Sequence, residues 1–391
     1  MELMKGKKGW GYLMSSKDES IFSKDALMHT DAGKDILKQA MLRSERYKQF
    51  QYYKELADRE FPRFLDRFVR ELHSSIINDD DPLSTLGNFI REAEPDGFIL
   101  ERIFSMDAIK VEEVRSRLAD VDKCRDRVLR LLDSNYVKMT YPVFYALYDG
   151  ACSYLNINVS DAERDVLIDG HVIAIDLSEP MDRIMDMDED VEYLDDYKLI
   201  CPYMLKIARR KISSIGKDIL EAFEQGFKDA KHGQYKDLIL KNNPTAMDEE
   251  SMNECYKKYR AVMGTAGRNM VLKDSPLRRI FYHGMARAGE SVGCANEIED
   301  SMKGRVIKVP SWPLYYALNT GDIRLAFDLT FRKSKIYLDD ALIAIDMLPE
   351  RFSTKHFLEF MVLSVRHYNE YWYRRVKEYD LNIFTAGLKE R

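Results

Sequence analysis

Cysteine, histidine, proline and glycine are all scarce in this sequence, and each scarcity narrows the range of functions. The five cysteines lie far apart, form no CxxC pair and are odd in number, at positions 124, 152, 201, 255 and 294. This pattern argues against a disulfide framework or a zinc knuckle and favours a reducing compartment. With 11 prolines and 19 glycines among 391 residues, we expect no long disordered tract.

Sequence motifs for catalysis and cofactor binding are also missing. The seven histidines are dispersed without an HExxH pair, and no GxSxG, P-loop or GxGxxG motif is present. We therefore expect no catalytic residue, no metal site and no cofactor, and hence a protein that is not an enzyme. No apolar run approaches the roughly 20 residues of a membrane span, and the N-terminal residues lack the apolar core of a secretory signal.

Charge is distributed unevenly between the two halves of the chain. Residues 1–200 carry a net −13, from 28 basic and 41 acidic side chains, whereas residues 201–391 carry a net +7 from 32 and 25. The whole chain has a net charge of −6. Such asymmetry suggests an anionic partner for the second half, although two solvated surfaces of opposite sign would give the same numbers.

Apolar residues recur mostly at three- and four-residue steps, which predicts a mainly α protein with little or no β structure. The two best strand candidates are HVIAIDLS at 171–178 and RVIKV at 305–309. We predict two helical lobes with a cleft between them, at residues 21–245 and 246–379. The boundary lies within the turn-rich segment KNNPTAMDEES, at 241–251. Residues 1–20 and 380–391 are predicted to be terminal arms.

The basic residues of the second half are interleaved with tyrosines. Lysine and arginine neutralise phosphates, and aromatic faces stack on bases, so this combination suits single-stranded nucleic acid. An ordinary charged helix surface is the alternative interpretation. The residues that we predict to bind RNA are Lys206, Arg209, Arg210, Lys217, Arg268, Arg278, Arg279 and Arg332 for the phosphates, with Tyr203 and Tyr259 for the bases.

An acidic run at 179–197 holds nine carboxylates and only one basic residue, Arg183. Asp186, Asp188 and Asp190 alternate as in oxygen-rich metal loops. A calcium-binding EF-hand loop counted from Asp186 would need Gly and Glu where Val191 and Tyr197 stand. A solvated acidic loop is therefore the favoured interpretation.

One pattern occurs twice, as MTYPVFYALYDGA at 139–151 and as VPSWPLYYALNTGD at 309–322. In both copies, proline is predicted to lie in the first turn of a helix. The second copy, in EDSMKGRVIKVPSWPLYYALNTG, and the segment FRKSKIYLDDALIAIDML that follows it, together resemble nucleoproteins of non-segmented negative-strand RNA viruses. This resemblance covers about 50 residues, 299–348.

The resemblance implies a two-lobed helical nucleoprotein that encapsidates single-stranded genomic RNA without reading its sequence. It also implies homo-oligomers, formed through terminal arms and assembled as rings or helical nucleocapsids. A viral phosphoprotein and polymerase would be further partners. The implied location is the virion and the host cytoplasm, with the nucleus as an alternative. The arginine of the family motif corresponds to Arg332, which would contact phosphate.

Two other functions remain open from the sequence. The first is a helical capsid or interaction scaffold without nucleic acid. The second is a Mg²⁺-dependent phosphoryl-transfer enzyme that uses Asp186, Asp188 and Asp190, which the sequence favours least because no recognised motif flanks them.

Overall fold

The structure is a computed structural model of the full chain, and it describes residues 44–93, 98–132, 135–158, 160–186, 190–304, 307–378 and 381. The described residues form α-helices joined by short connections, with one 3₁₀ turn at Pro244–Ala246, and contain no strand. The predicted mainly α fold is therefore confirmed.

The helices of the first half are α1 (Ser44–Ile77), α2 (Pro82–Ala93), α3 (Phe98–Phe104), α4 (Ala108–Leu118), α5 (Val121–Leu132), α6 (Asn135–Leu155), α7 (Asp161–Asp176) and α8 (Ser178–Asp186). Those of the second half are α9 (Val191–Ser213), α10 (Lys217–Asn242), α11 (Glu249–Cys255), α12 (Lys257–Asn269), α13 (Pro276–Gly304), α14 (Trp312–Thr320), α15 (Ile323–Asp346) and α16 (Lys355–Glu378).

Backbone contacts divide the chain into two units, and neither unit is continuous in sequence. Unit 1 comprises residues 1–52, 146–158 and 222–391, and unit 2 comprises residues 53–145 and 159–221. The chain passes from one unit to the other inside α1, α6 and α10. The lobes predicted at 21–245 and 246–379 stay a prediction. The predicted arms at 1–20 and 380–391 lie outside the described residues, apart from Leu381.

Unit 1 is built around α13, which packs against α12, α15 and α16. Its core includes one group of aromatic and apolar side chains around Tyr256 and Trp312, and another around Phe327 and Trp372. Burial of such large side chains supplies the main stabilising free energy of a helical bundle. Unit 2 is built around α9, which packs against α7 and α8.

Sequence signals at helix ends explain several boundaries. The hydroxyl of Ser160 accepts a bond from the backbone of Glu163, whose carboxylate accepts one from the Ser160 backbone, forming a capping box at α7. At α14, Ser311 caps the first turn, Pro313 lies within that turn, and Gly321 ends the helix with a φ of 68°. Glycine adopts this left-handed conformation without the strain that a Cβ would cause.

The two copies of the repeated pattern occupy different places in their helices. The second copy begins α14, so its proline lies in the first turn, as predicted. In the first copy the prediction is wrong, because α6 begins at Asn135 and Pro142 lies inside the helix. The helix therefore starts two turns before this proline, which is a buried part of α6.

The two predicted strands are not strands in the structure. His171–Asp176 form the last turns of α7, and the segment continues as helix into α8. A short apolar run has the composition of either a strand or a buried helix, and here most of it is buried within unit 2. Residues 305–306 lie outside the described residues, and 307–309 are not strand. Among the described helices, none is long and apolar enough to cross a membrane.

Candidate functional site

A buried aspartate on α7, Asp169, lies at the centre of a network of charged groups in unit 2. Arg67 of α1 binds it in a bidentate manner, with Nε 3.1 Å from Oδ2 and Nη2 3.0 Å from Oδ1. The hydroxyl of Tyr141 on α6 donates to Oδ1 at 3.0 Å. Three helices therefore converge on one carboxylate through charge-assisted hydrogen bonds, which are the strong ones in proteins.

Two neighbouring basic residues of α9 complete the network. Lys211 Nζ lies 3.7 Å from Asp169 Oδ2 and 2.9 Å from Glu71 Oε1, and Arg210 Nη2 lies 3.0 Å from Glu71 Oε2. We call Arg67, Glu71, Tyr141, Asp169, Arg210 and Lys211 the Asp169 cluster. It holds three cations and two carboxylates, and the carboxylate of Asp165 also acts on Arg67.

The close packing of α7 on α9 depends on Gly170. A Cβ at this position would lie 2.9 Å from Cγ1 of Ile212 and 3.2 Å from the Cβ of Lys211. Because Gly170 follows Asp169 directly, the missing side chain brings the carboxylate within reach of Lys211.

Protonation in the Asp169 cluster is governed by burial. Burial raises the pKa of Asp169 above its ordinary value, and the charges of Arg67 and Lys211 oppose this rise. Burial also raises the pKa of Tyr141 well above its ordinary value, so its hydroxyl remains a hydrogen-bond donor. The cluster nevertheless reaches solvent, because the Arg210 side chain is 61% exposed and that of Arg67 is 32% exposed.

Aromatic rings line the cluster on α1 and α6. Phe64 stacks on Phe68 at a centroid distance of 5.9 Å, and it packs on Tyr141 at 5.6 Å. Tyr141 in turn packs on Tyr145 at 5.3 Å, and the Tyr145 hydroxyl donates to Asp165 at 2.9 Å. The Asp169 cluster thus combines cations that reach solvent with aromatic rings that are buried in the core of unit 2.

A second polar network follows one face of α13 in unit 1. Glu290, which is buried, accepts bonds from Arg260 at 2.8 Å and from Arg287 at 2.8 Å. Two turns further on, Glu297 accepts a bond from the backbone N–H of Trp312 at 2.9 Å. Burial raises the pKa of Glu297 to about 8, so this carboxyl group is protonated at neutral pH.

The four basic residues predicted in residues 201–221 all lie in unit 2, on α9 or at the start of α10. Lys206 and Lys217 are exposed. Arg209 forms an ion pair with Glu92, with Nη1 2.8 Å from Oε2, and Arg210 belongs to the Asp169 cluster. Two of these four predicted basic residues are therefore paired with carboxylates of α1 and α2.

The four other predicted basic residues lie in unit 1. Arg268 donates to the side chain of Asn269, and Arg278 donates to the backbone carbonyls of Val271 and Leu272. Arg279 and Arg332 are exposed. The predicted set is thus divided between the two units, and only Arg210 belongs to the Asp169 cluster.

The two tyrosines predicted to stack on bases are packed against protein groups. Tyr203 is buried, and its hydroxyl donates to Asp79 at 3.0 Å. The ring of Tyr259 fills the space beside Gly293, where a Cβ would lie 2.8 Å from ring atom Cε2. That these ten residues bind RNA stays a prediction.

A metal site is not formed by the side chains that the structure describes. They contain no group of three or more histidine, cysteine, aspartate or glutamate residues that could hold an ion. Of the alternating carboxylates, Asp190 is exposed at the start of α9, whereas Asp188 and the Asp186 side chain lie outside the described residues.

Asp169, Glu290 and Glu297 are not among the residues predicted from the sequence. Asp165 and Asp169 are four residues apart in DVLIDGHVIAID, which is the spacing that puts two carboxylates on one helix face. Interpreting the end of this segment as a strand hid that spacing. Glu290 and Glu297 are seven residues apart, and they too share a helix face.

Comparisons with known proteins found a likeness in structure only. No protein-family model and no curated protein matches the chain. Among solved structures, heptaprenyl diphosphate synthase from Staphylococcus aureus is similar, with a TM-score of 0.51 and 12% identity, over 71% of this chain and 98% of that one.

Two further matches have lower TM-scores. Geranylgeranyl pyrophosphate synthetase from the archaeon Geoglobus acetivorans has a TM-score of 0.48 at 12% identity, over 72% of this chain and 97% of that one. A geranyltranstransferase from Methanosarcina mazei has a TM-score of 0.46 at 12% identity, and the match covers 73% of this chain and 96% of that one. The likeness to the Staphylococcus aureus protein shows that the chain has an isoprenyl diphosphate synthase-like helical fold.

This fold overturns the functional predictions made from the sequence. The resemblance to viral nucleoproteins is wrong, and with it the encapsidation of RNA, the assembly through arms and the viral partners. The expectation of a protein that is not an enzyme is contradicted as well, because the matching structures are prenyl-transferring enzymes. The resemblance covered only about 50 residues. Its aromatic–Pro–Leu pattern forms the first turn of α14, where Trp312 packs into the core of unit 1.

Proposed function

We propose that this chain is an enzyme that binds an isoprenyl diphosphate and transfers its prenyl group to an acceptor. The observation that supports this proposal is the fold, which is similar to that of a heptaprenyl diphosphate synthase along almost the whole length of that enzyme. The proposal requires neither the predicted RNA-binding residues nor the predicted cleft between two lobes, which stay predictions.

Prenyl transfer makes two chemical demands on a protein. The bond between the allylic carbon and the diphosphate oxygen breaks, and its electron pair leaves with the diphosphate, so cations must stabilise the departing charge. The allylic carbon becomes positive, and the electron pair of the acceptor's double bond then forms the new carbon–carbon bond, after which the acceptor loses a proton to water. Aromatic faces beside the positive carbon are therefore favourable. The prenyl chain itself is apolar and needs an apolar lining.

The Asp169 cluster offers groups of both kinds within one unit. Arg210 is the most exposed cation, and Arg67 and Lys211 lie behind it on Asp169. In the proposal a diphosphate accepts N–H bonds from Arg210, while Lys211 keeps Glu71 paired at 2.9 Å. The rings of Phe64 and Tyr141, with centroids 5.6 Å apart, are buried beside these cations, and in the proposal the bound prenyl group displaces core contacts to reach them.

A metal ion has no step in this proposal, because the described side chains do not form a site for one. Mg²⁺ is nevertheless a variable of the assay, since it is commonly bound through substrate phosphates with one or two carboxylates.

The direct test is turnover with purified full-length protein. Dimethylallyl, geranyl and farnesyl diphosphates are each incubated with radiolabelled isopentenyl diphosphate, with and without Mg²⁺, and the extracted prenyl products are analysed by chain length. Binding of inorganic diphosphate is measured separately by calorimetry. Labelled products support the proposal, whereas a protein that forms no product and binds no diphosphate overturns it.

Arg210→Gln tests the location of the site. Loss of one charge-assisted hydrogen bond should weaken diphosphate binding about tenfold. The variant should still fold, because Glu71 retains Lys211 as its partner. Arg70→Gln, an exposed position on the same helix as Arg67, is the matched control and should bind diphosphate as the unmodified chain does. Equal affinities in all three proteins would show that diphosphate binds elsewhere.

A further inference from the structure

The side chain of Lys333 on α15 places its ammonium group over aromatic rings. Its Nζ lies 3.8 Å from the ring centroid of Trp312 and 5.8 Å from that of Tyr337. The Lys333 side chain is only 16% exposed, and Oε1 of Glu249 is 3.7 Å from Nζ, which exceeds hydrogen-bond distance. The ring faces and this carboxylate therefore stabilise the charge of Lys333. We call Glu249, Trp312, Lys333 and Tyr337 the Lys333 site.

The rings of the Lys333 site are held in place by the core of unit 1. Trp312 at the start of α14 is fully buried, and Tyr337 on α15 is 6% exposed. Tyr256, between α11 and α12, packs on both of them, with its ring centroid 5.7 Å from that of Trp312 and 6.5 Å from that of Tyr337. Because these contacts do not involve Lys333, the rings keep their positions when its ammonium group moves away.

A lysine is poorly matched to this site. Its ammonium group is a compact, strongly hydrated charge with three N–H donors. Among the described residues, none accepts a hydrogen bond from the Lys333 side chain. A quaternary ammonium carries the same charge, has no N–H donor and is less strongly hydrated, so it loses less on leaving water. It is also the cation that aromatic sites recognise best.

The indole of Trp312 offers a second group to a ligand. Its N–H is buried and has no hydrogen-bond acceptor in the part of the chain that the structure describes. A buried donor without an acceptor is costly. Because this N–H belongs to the ring over which Lys333 lies, an oxygen close to the charged head of a ligand can supply the missing acceptor.

We propose that the Lys333 site binds a small quaternary ammonium compound that carries a hydroxyl or carboxylate oxygen near its charged head. The head takes the position of Nζ over Trp312, and the flexible four-carbon stem of Lys333 swings into solvent. Glu249, whose side chain is 66% exposed, remains beside the head as its counter-ion. Lys333 is then a tethered competitor that occupies the site when the ligand is absent. The proposal does not depend on prenyl transfer, because it concerns binding within unit 1.

The first experiment titrates choline into the full-length chain by calorimetry, with sodium chloride as the control for ionic strength. We expect a dissociation constant of about 1 mM or above, because a tethered competitor has an effective concentration in the millimolar range. Dimethylbutanol, the neutral analogue in which carbon replaces the nitrogen of choline, should bind at least about tenfold more weakly. Tetramethylammonium, which lacks the oxygen, should also bind more weakly than choline.

Substitutions test the competitor and the rings. Lys333→Ala should bind choline about tenfold more tightly than the unmodified chain, because the site is then always vacant. Lys335→Ala removes the same charge from a half-buried position on the same helix and should leave the affinity unchanged. Added to Lys333→Ala, Tyr337→Leu should weaken binding about tenfold. Tyr235→Leu, at a half-buried tyrosine of unit 1 outside the site, is its control. Circular dichroism checks that every variant folds.

Vesicles of phosphatidylcholine, which carry the same head group on a lipid, distinguish two sources of the ligand. Calorimetric binding of choline without cosedimentation of the protein with vesicles indicates a free small molecule, and cosedimentation that Lys333→Ala strengthens indicates a lipid. The proposal is overturned by an unmodified chain that binds neither, by equal affinity for choline and dimethylbutanol, or by Lys333→Ala binding no more tightly than Lys335→Ala. Equal affinity for choline and tetramethylammonium would refute the role of the oxygen.

Discussion

Replacing Glu297 by glutamine should remove a large pH dependence from the stability of the protein. Glu297 is buried on α13, where burial raises its pKa to about 8 from a reference value of 4.5. Between these two pH values the folded protein holds a proton that the unfolded chain has lost. Unfolding therefore releases a proton, and the free energy of unfolding falls as the pH rises.

The magnitude follows from the size of the shift. At 1.36 kcal/mol per pKa unit, a rise from 4.5 to about 8 corresponds to about 5 kcal/mol of stability, present below pH 4.5 and lost as the pH rises through 8. Glutamine does not ionise, and its carbonyl oxygen can still accept the Trp312 N–H bond. Glu297→Gln should therefore match the unmodified protein near pH 4.5, exceed it by about 3 kcal/mol at pH 7 and exceed it by about 5 kcal/mol above pH 8.

The assay is urea unfolding of both proteins at pH 5, 6, 7 and 8, followed by circular dichroism. Effects of all other titrating groups cancel in the difference between the two proteins at each pH. Glu221→Gln removes a carboxylate from an exposed position and is the control for surface charge. A difference between Glu297→Gln and the unmodified protein that varies by less than about 0.5 kcal/mol over this range would refute the reasoning.

Two further predictions concern packing and buried charge. Gly233→Ala should destabilise the fold by about 1–3 kcal/mol, because its Cβ would lie 2.5 Å from the backbone nitrogen of Lys258. Gly87→Ala should stabilise the fold by about 0.5–1 kcal/mol, because its Cβ would meet only the end of the Arg91 side chain, at 3.5 Å. If thermal unfolding showed both alanine variants to be destabilised, or both to be stabilised, this prediction would be contradicted. Asp196→Ala should cost about 3 kcal/mol in urea unfolding, because it removes the buried carboxylate that accepts bonds from Arg117 at 2.9 Å and from Arg127 at 2.6 Å, and leaves both with the more exposed Glu192. Lys217→Ala, at an exposed pair, should cost at most about 1 kcal/mol, and equal losses for the two variants would show that burial does not decide the effect.

Features encoded by neighbouring residues could be predicted from the sequence. The mainly α class follows from apolar periodicity, and the bounds of α14 follow from Ser311, Pro313 and Gly321, each of which acts within one helical turn. The end of α7 could not be predicted in the same way. Apolar residues at 172–175 fit a strand as well as a buried helix, and packing within unit 2 decides between them.

Contacts between distant residues explain why the predicted function was wrong. Counting charges treats Arg209 as an available cation, yet it binds Glu92, which lies 117 residues away in sequence. The Asp169 cluster could not be predicted for the same reason, because Arg67 and Asp169 are 102 residues apart and neither belongs to a recognisable motif.

A resemblance over a short segment likewise contains no information about contacts between distant residues. A pattern in which a serine caps a helix, proline enters its first turn and glycine ends it satisfies the local requirements of a helix in any fold. It therefore carries little information about which protein contains it. The arrangement of the helices depends on side chains that pack across long separations, so it identifies the fold, which is similar to that of a heptaprenyl diphosphate synthase over 98% of that protein's length.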